Sequence, residues 1–374
     1  MSKGNYSKLT KITIAGYKSI AYDFPQEIPI GDINILIGAN GSGKSNLISF
    51  FRMLNYMMTG ALQTYIGQSG SAENLLHFGS KKTPFINASL EFTNDKNVKD
   101  IYNMTLVKTV QDSFIFSEES IKYNGKIYNL NEGHKESFLF TGKAMNKATE
   151  IIGCLLSKCR IFQFHDTSVS SNIRTNSFLD NNKYLFGNGG NLASVLYLLK
   201  NKEVYEKYYR KIVYYIQNIF PQFDDFVLEP LPLNQNYIKL NWKQKSSLDY
   251  ILGVDQLSDG IIRFMALAVL LLTPPELLPN IIVIDEPELG LHPRAIEALA
   301  AMVNDASRYS QIILATHSER LLDCLDAKNV ITADQDRLHN CSIYKRIDEE
   351  ALHDWLEEYS LSQLWNKNIL RGQP

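Results

Sequence analysis

The run Gly38-Ala-Asn-Gly-Ser-Gly-Lys44-Ser45 constrains this chain more than any other eight residues in it. It fits the pattern G-x-x-x-x-G-K-[ST], and its flanks fit as well: Ile33 to Ile37 reads as a short apolar strand, and Asn46 to Met58 has helical composition. Glycines let the backbone curl until successive N–H groups point at one centre, and a helix N-terminus adds partial positive charge there. Gly38, Asn40, Gly41, Gly43, Lys44, Ser45 and Asn46 are therefore the candidate phosphate contacts of a bound ATP. Lys44 would neutralise the β- and γ-phosphates, and Ser45 would ligate Mg²⁺. A glycine-rich turn with a surface lysine would explain the loop but not the strand and helix around it.

A second apolar run, Asn280-Ile-Ile-Val-Ile-Asp285-Glu286-Pro287, ends in two carboxylates. Asp285 at a strand's carboxyl end can hold the Mg²⁺ shell, and Glu286 can accept a proton from an attacking water. An acidic turn leaving a strand would look the same in isolation; its pairing with the phosphate loop favours the functional reading.

Between and around these runs the pattern is mixed α/β. Leu9 to Ile14 alternates as a strand does, and Phe85–Phe92, Met104–Val110 and Ser113–Phe116 read as antiparallel strands separated by Asn, Asp and Gly turns. Residues 140 to 158 look helical and Arg160 to Phe164 looks like a buried strand. Asp180 to Asn191 is a loop, followed by helices from Leu192 to Phe220 and strands at Phe226–Leu228 and Tyr237–Trp242. The last third alternates: helix Ile261–Leu272, strand Ile281–Ile284, helix Pro293–Arg308, strand Gln311–Ala315. The two strands are continuous apolar runs, as parallel strands covered on both faces are. No internal repeat and no sustained heptad is present, so a long coiled-coil arm is not expected.

Further motifs select a subclass. Leu257-Ser-Asp-Gly260, opening a helix upstream of the acidic strand, resembles the signature motif of ABC ATPases, although alone it would read as a helix cap. His317, in Thr316-His-Ser318, resembles the switch histidine, and Gln163, in Ile161-Phe-Gln-Phe-His-Asp166, resembles the glutamine loop that senses Mg²⁺. Lys18 and Ser19, in Ile14-Ala-Gly-Tyr-Lys-Ser-Ile20, resemble an N-terminal nucleotide contact. With the run Asp285-Glu-Pro-Glu-Leu-Gly-Leu-His-Pro293, these features resemble the RecF/SMC-like branch, and within it the compact OLD-related ATPases.

That resemblance implies an α/β P-loop NTPase: a single ABC ATPase head with a mixed core sheet, an antiparallel β portion and a helical sub-domain. Residues 1–180 would form an N-terminal lobe, 181–250 a helical and β insertion, and 251–374 a C-terminal lobe. It also implies a homodimer with two ATP sites at a head-to-tail interface. One subunit would supply Lys44, Ser45, Asp285 and Glu286, and the other Ser258 and Gly260. His292 stands where many ABC proteins carry an aspartate, which weakens any transfer of how the two sites signal to each other. The implied role is an ATP-hydrolysing switch in DNA repair or defence against phage, acting through a separate effector protein or DNA. The energy-coupling subunit of a membrane transporter is the alternative.

Bulk properties narrow the partners. A formal charge of −2 makes no global case for nucleic acid or an anionic membrane, so either would need a local patch. The best such patch is Lys200 to Lys211, where Lys202, Lys207 and Arg210 interleave with Tyr205, Tyr208 and Tyr209; Glu203 and Glu206 argue for an ordinary solvated helix. Cys154, Cys159, Cys324 and Cys341 form no zinc-type spacing and read as reduced thiols of a cytoplasmic protein. No apolar run is long enough to span a bilayer. Only 57 residues follow His317, too few for the Toprim nuclease domain of OLD proteins, so no nuclease activity is expected. Asp334 and Asp336 read as a hairpin turn rather than a metal pair. Glu349 to Glu358 reads as an acidic helix with Leu352, Trp355 and Leu356 on one face, and Leu364, Trp365, Ile369 and Leu370 could dock on the head or on a partner.

Overall fold

The computed structural model describes residues 7–140, 147–245 and 250–371. Two compact units emerge, one formed by the chain up to Arg160 together with the stretch from Asp326 onward, the other by Ile161–Leu325.

In the first unit, six strands form an antiparallel sheet in the order Gln26–Pro29, Lys8–Ala15, Phe85–Thr93, Lys99–Lys108, Phe114–Tyr123, Lys126–Asn129. Phe85–Thr93 alternates strictly, with Ile86, Ala88, Leu90 and Phe92 buried, as period-two patterning requires of a sheet with one covered face. Register follows from that face: Leu90 lies opposite Ile12, which lies opposite Ile28. The strand Ile33–Ile37 pairs in parallel with Val330–Asp336, which forms an antiparallel hairpin with Cys341–Arg346. The helix Lys44–Met57 follows the phosphate loop and buries Leu47, Phe50, Phe51 and Leu54.

The second unit contains a parallel pair, Ile281–Asp285 beside Gln311–Ala315, joined by the helix Pro293–Ala306. Pro293 occupies the first turn, where its missing N–H costs nothing, and Ile296, Leu299, Val303 and Ala306 form the buried face. The helix Asp259–Leu272 is apolar nearly all round, and its residues Phe264 to Leu272 are all buried. At about 1.5–3 kcal/mol for each fully buried large apolar side chain, it is a principal support of this unit. Helices Leu192–Asn201 and Glu206–Ile219 pack here too.

Four expectations need correction. The stretch Tyr237–Trp242 is two strands: Asn234–Ile238 pairs with Ser177–Phe178, whereas Asn241–Gln244 pairs with Phe223–Val227. The chain changes sheets at 239–240, which an unbroken β-type composition hides. Asp334 and Asp336 lie on the strand Val330–Asp336, not in the turn; Asp334 sits opposite Ile343, and the Asp336 carboxylate accepts from the Leu338 N–H as the turn begins. The acidic segment is helical at His353–Glu358, yet Trp355 is 45% exposed, so its apolar residues form no buried face. The helix expected over 140 to 158 spans Lys147–Ser157; residues 141–146 lie outside the described residues.

The tail alternatives are also separated. Leu364 is fully buried and Leu370 nearly so, while Ile369 and Leu370 share a cavity wall with Thr332 and Ile343 of the hairpin. The end of the described chain therefore docks on its own unit. Among the described residues, no helix is long and apolar enough to cross a membrane.

Candidate functional site

The candidate residues fall in two groups, one in each unit. In the first unit the loop Gly38–Ser45 passes from a wholly buried strand into its helix through Gly43, at φ 112. A Cβ at Gly43 would sit 2.2 Å from the Ser342 hydroxyl, so only glycine lets the loop approach the hairpin this closely. The hairpin braces the loop: Tyr344 Oη donates to the Gly43 carbonyl (2.8 Å) and Gln335 Nε2 to the Gly41 carbonyl (2.8 Å). Burial pushes the Tyr344 phenol pKa up, keeping it a donor. Lys44 donates to the carbonyls of Gly38 and Ala39, which holds its ammonium against the loop. Asn40, Gly41 and Ser45 are exposed.

Ser19 belongs to this group. Its hydroxyl accepts from Asn46 Nδ2 (2.6 Å) and from Ser342 Oγ (2.7 Å), tying the N-terminal motif to the residue after Ser45. Lys18 adopts a left-handed backbone, φ 50, supported by its N–H to the Leu75 carbonyl and by His77 Nδ1 on its own carbonyl. Burial lowers the Lys18 ammonium pKa, and nearby Arg52 lowers it further.

The second unit gathers Gln163, Asp285, Glu286 and His317. Gln163 Nε2 donates to Asp285 Oδ2 (2.8 Å). Glu286 follows at φ 46, a left-handed conformation that costs a non-glycine residue about 1–3 kcal/mol and is typical of functional turns. Its N–H donates to the Ala315 carbonyl (2.8 Å). His317 is exposed; its backbone N–H and the Thr316 hydroxyl both donate to Glu288 Oε1 (3.1 and 2.6 Å).

The signature residues open the helix Asp259–Leu272. Ser258 is the N-cap and exposed, its hydroxyl accepting from the Ile261 N–H. A Cβ at Gly260 would lie 2.3 Å from the Gly290 carbonyl, so the helix start is pressed against the loop after Glu286. Arg174, buried, donates to the carbonyls of Thr167, Val254 and Leu257 and to the Asp259 carboxylate. Hydrogen bonds from Thr167 and Arg174 hold the Asp259 carboxyl below the usual carboxylate range.

Four participants escaped the sequence reading: His165, Arg174, Arg263 and Glu288. His165 and Glu288 stand inside motifs already singled out, two residues from Gln163 and from Glu286, and that proximity was the available signal. The arginines carry no local signal, because their partners are distant backbone carbonyls.

The residues present suit a phosphate and a divalent cation. Ser42 Oγ, buried in the glycine loop, has no hydrogen-bond partner among the described residues, and neither does Glu288 Oε2 beside His317. A buried polar atom left unpaired costs about 1–3 kcal/mol, which a ligand at the loop would relieve for Ser42. Ser45 in the first unit and Asp285 in the second each carry a hard oxygen donor of the kind that Mg²⁺ prefers.

Fold and motifs together define a P-loop ATPase of the ABC and SMC-like class. Residues 33–323 match the family described as "AAA domain, putative AbiEii toxin, Type IV TA system", and the chain belongs to that family. Among the solved structures that are similar are two Smc heads. One is an Smc head bound to the C-terminal winged-helix domain of ScpA, at 16% identity and a TM-score of 0.60, covering 92% of this chain and 99% of that one. The other is an Smc head with an extended coiled coil bound to the C-terminal domain of ScpA, derived from Pyrococcus furiosus. It is 15% identical with a TM-score of 0.59, covering 94% of this chain and 99% of that one. No curated protein matches the sequence significantly.

Proposed function

We propose that the chain binds Mg-ATP on the Gly38–Ser45 loop, hydrolyses it with Glu286 as general base, and serves as a dimeric switch whose nucleotide state governs a separate effector or DNA. The observation that carries this reading is the turn at Asp285–Glu286. A buried apolar strand ends in a carboxylate bonded to Gln163, and the next carboxylate is held in a strained backbone that is retained at a cost. Bound Mg²⁺ would neutralise phosphate charge, with Ser45, Asp285 and Gln163 as the residues to hold it. Lys44 would bind the phosphates, Ser19 and Lys18 would support the loop, and Glu286 would take the proton of the attacking water.

Ser258 and Gly260 stand at the exposed start of a fourteen-residue helix, which suits an anion presented from outside the protomer. This supports a head-to-tail homodimer in which they complete the partner's site. The toxin–antitoxin description of the family favours defence over repair, and the ScpA-bound Smc heads illustrate output through a second protein. The basic helix is a poor nucleic-acid surface: Lys200 pairs with Asp225, Arg210 with Glu206 and Lys211 with Asp305, while Tyr205 and Tyr209 are buried.

A mixing experiment tests the shared site. Lys44→Ala and Ser258→Arg proteins, each inactive alone, are expected to regain part of the wild-type ATPase rate when combined, because one composite site per heterodimer remains intact. No recovery at any ratio, with both proteins shown to exchange subunits, would refute site sharing.

A further inference from the structure

We propose that His165 is a positioning residue for the general base, holding the Asp285–Glu286 turn through its imidazole Nε2–H. The inference rests on the reading of Glu286 as that base. His165 Nε2 lies 3.0 Å from the backbone carbonyl of Asp285. A carbonyl can only accept, so this nitrogen carries the proton. The carbonyl belongs to the peptide that leads into Glu286, where the backbone leaves the strand for φ 46. A left-handed glutamate persists only where its surroundings over-determine it. Here the Glu286 N–H is anchored to Ala315 on one side, and the preceding carbonyl to His165 on the other.

The same nitrogen is 3.9 Å from Glu286 Oε2, beyond hydrogen-bond reach. His165 therefore orients the turn without occupying the carboxylate, and leaves that oxygen able to accept a proton. The histidine is itself immobilised. Arg263 donates to the carbonyls of His165 (2.8 Å) and Phe164 (3.0 Å), to Thr167 Oγ1 (3.1 Å) and to the Leu289 carbonyl (3.3 Å). Leu289 in turn donates its N–H to the Glu286 carbonyl (3.2 Å). The loop carrying Gln163 and His165, together with Arg263 on the helix Asp259–Leu272, thus grips the acidic turn at three points: Gln163 on the Asp285 side chain, His165 on its carbonyl, and Arg263 behind Leu289. A general base must be placed closely, since a misplacement of about 1 Å can cost on the order of 100-fold in rate.

The test is steady-state and single-turnover ATPase kinetics on the full chain, with affinity for a fluorescent ATP analogue measured in parallel. His165→Ala is expected to lower kcat about tenfold or more while leaving nucleotide affinity unchanged. His165→Gln, whose Nε2 can still donate, is expected to recover most of the rate. In a Glu286→Gln background His165→Ala is expected to cost nothing further, because the group it positions is gone. If His165→Ala lowers the melting temperature below that of the assay, His165→Phe keeps the ring, removes the donor and gives the same comparison. Wild-type kcat in the donor-less variants, failure of His165→Gln to rescue, or an equal loss in the Glu286→Gln background would each overturn the proposal. Wild-type turnover in Glu286→Gln alone would remove the general-base reading itself, and this proposal with it.

Discussion

The phosphate loop and the acidic turn hold their functional groups by different means. The loop works mainly through backbone: its shape comes from glycines, and its braces, Tyr344 and Gln335, reach carbonyls rather than side chains. The acidic turn works through its carboxylates, which other side chains place: Gln163 on the Asp285 carboxylate and His165 on the backbone carbonyl that leads into Glu286, while Glu288 accepts from the His317 N–H. A backbone-built site needs few residue types at fixed spacing and tolerates variety in what supports it. A side-chain-built site needs each supporting group at its distance, so its supports are dispersed along the chain.

The sharpest way to break this contrast is to remove one charge from each region. Lys44→Ala is expected to weaken nucleotide binding by about 3 kcal/mol or more, on the order of 100-fold, read by titration of a fluorescent ATP analogue. Glu286→Gln is expected to bind as the wild type does and to turn over at least about tenfold more slowly, about 1.4 kcal/mol in barrier. Normal binding in the first, or wild-type turnover in the second, would mean that the roles are wrongly divided.

The loop's brace depends on the hairpin, and the end of the chain docks on that hairpin. Leu364→Ala is expected to destabilise the protein by about 2–5 kcal/mol in denaturant melts. Trp355→Ala, at a half-exposed position with no buried face, is expected to stay within about 0.5 kcal/mol of the wild type. Equal effects would show that the tail is not divided as described.

A smaller effect sharpens the comparison directly. Tyr344→Phe removes one hydrogen bond to the loop backbone, worth about 1 kcal/mol, and is expected to raise KM for ATP several-fold with little change in kcat. That split is the reverse of the one expected for His165→Ala. A fall in kcat with unchanged KM would place Tyr344 among the groups that act on chemistry.

The smallest expected effect concerns His77, the support of the Lys18 carbonyl. Burial holds its pKa below the ordinary 6.5. As pH falls below 6.5 the unfolded chain takes up a proton that the folded unit resists. Stability is therefore complete above that value and declines as pH drops toward the folded pKa. Denaturant titrations above and below pH 6.5 are expected to show this loss in the wild type and less of it in His77→Gln.

Much of this molecule was legible in local order. The loop Gly38–Ser45, the strands Ile281–Asp285 and Gln311–Ala315 and the buried face of Pro293–Ala306 follow from spacing and periodicity, because turn chemistry and burial of a repeating face act over a few residues. The sheet change at 239–240, the extension of Val330–Asp336 through both aspartates and the docking of Leu364 did not, since strand partners and tail contacts lie far off in sequence. Gln163 was singled out by resemblance, but its bond to Asp285, 122 residues away, is a fact of the fold. His165 shows the limit most plainly: a histidine in a loop acquires meaning only when folding brings a carbonyl 120 residues distant to 3.0 Å from its ring. Local sequence sets which groups a segment can offer; long-range packing decides which of them meet, because hydrogen bonds act over ångströms and not over chain length.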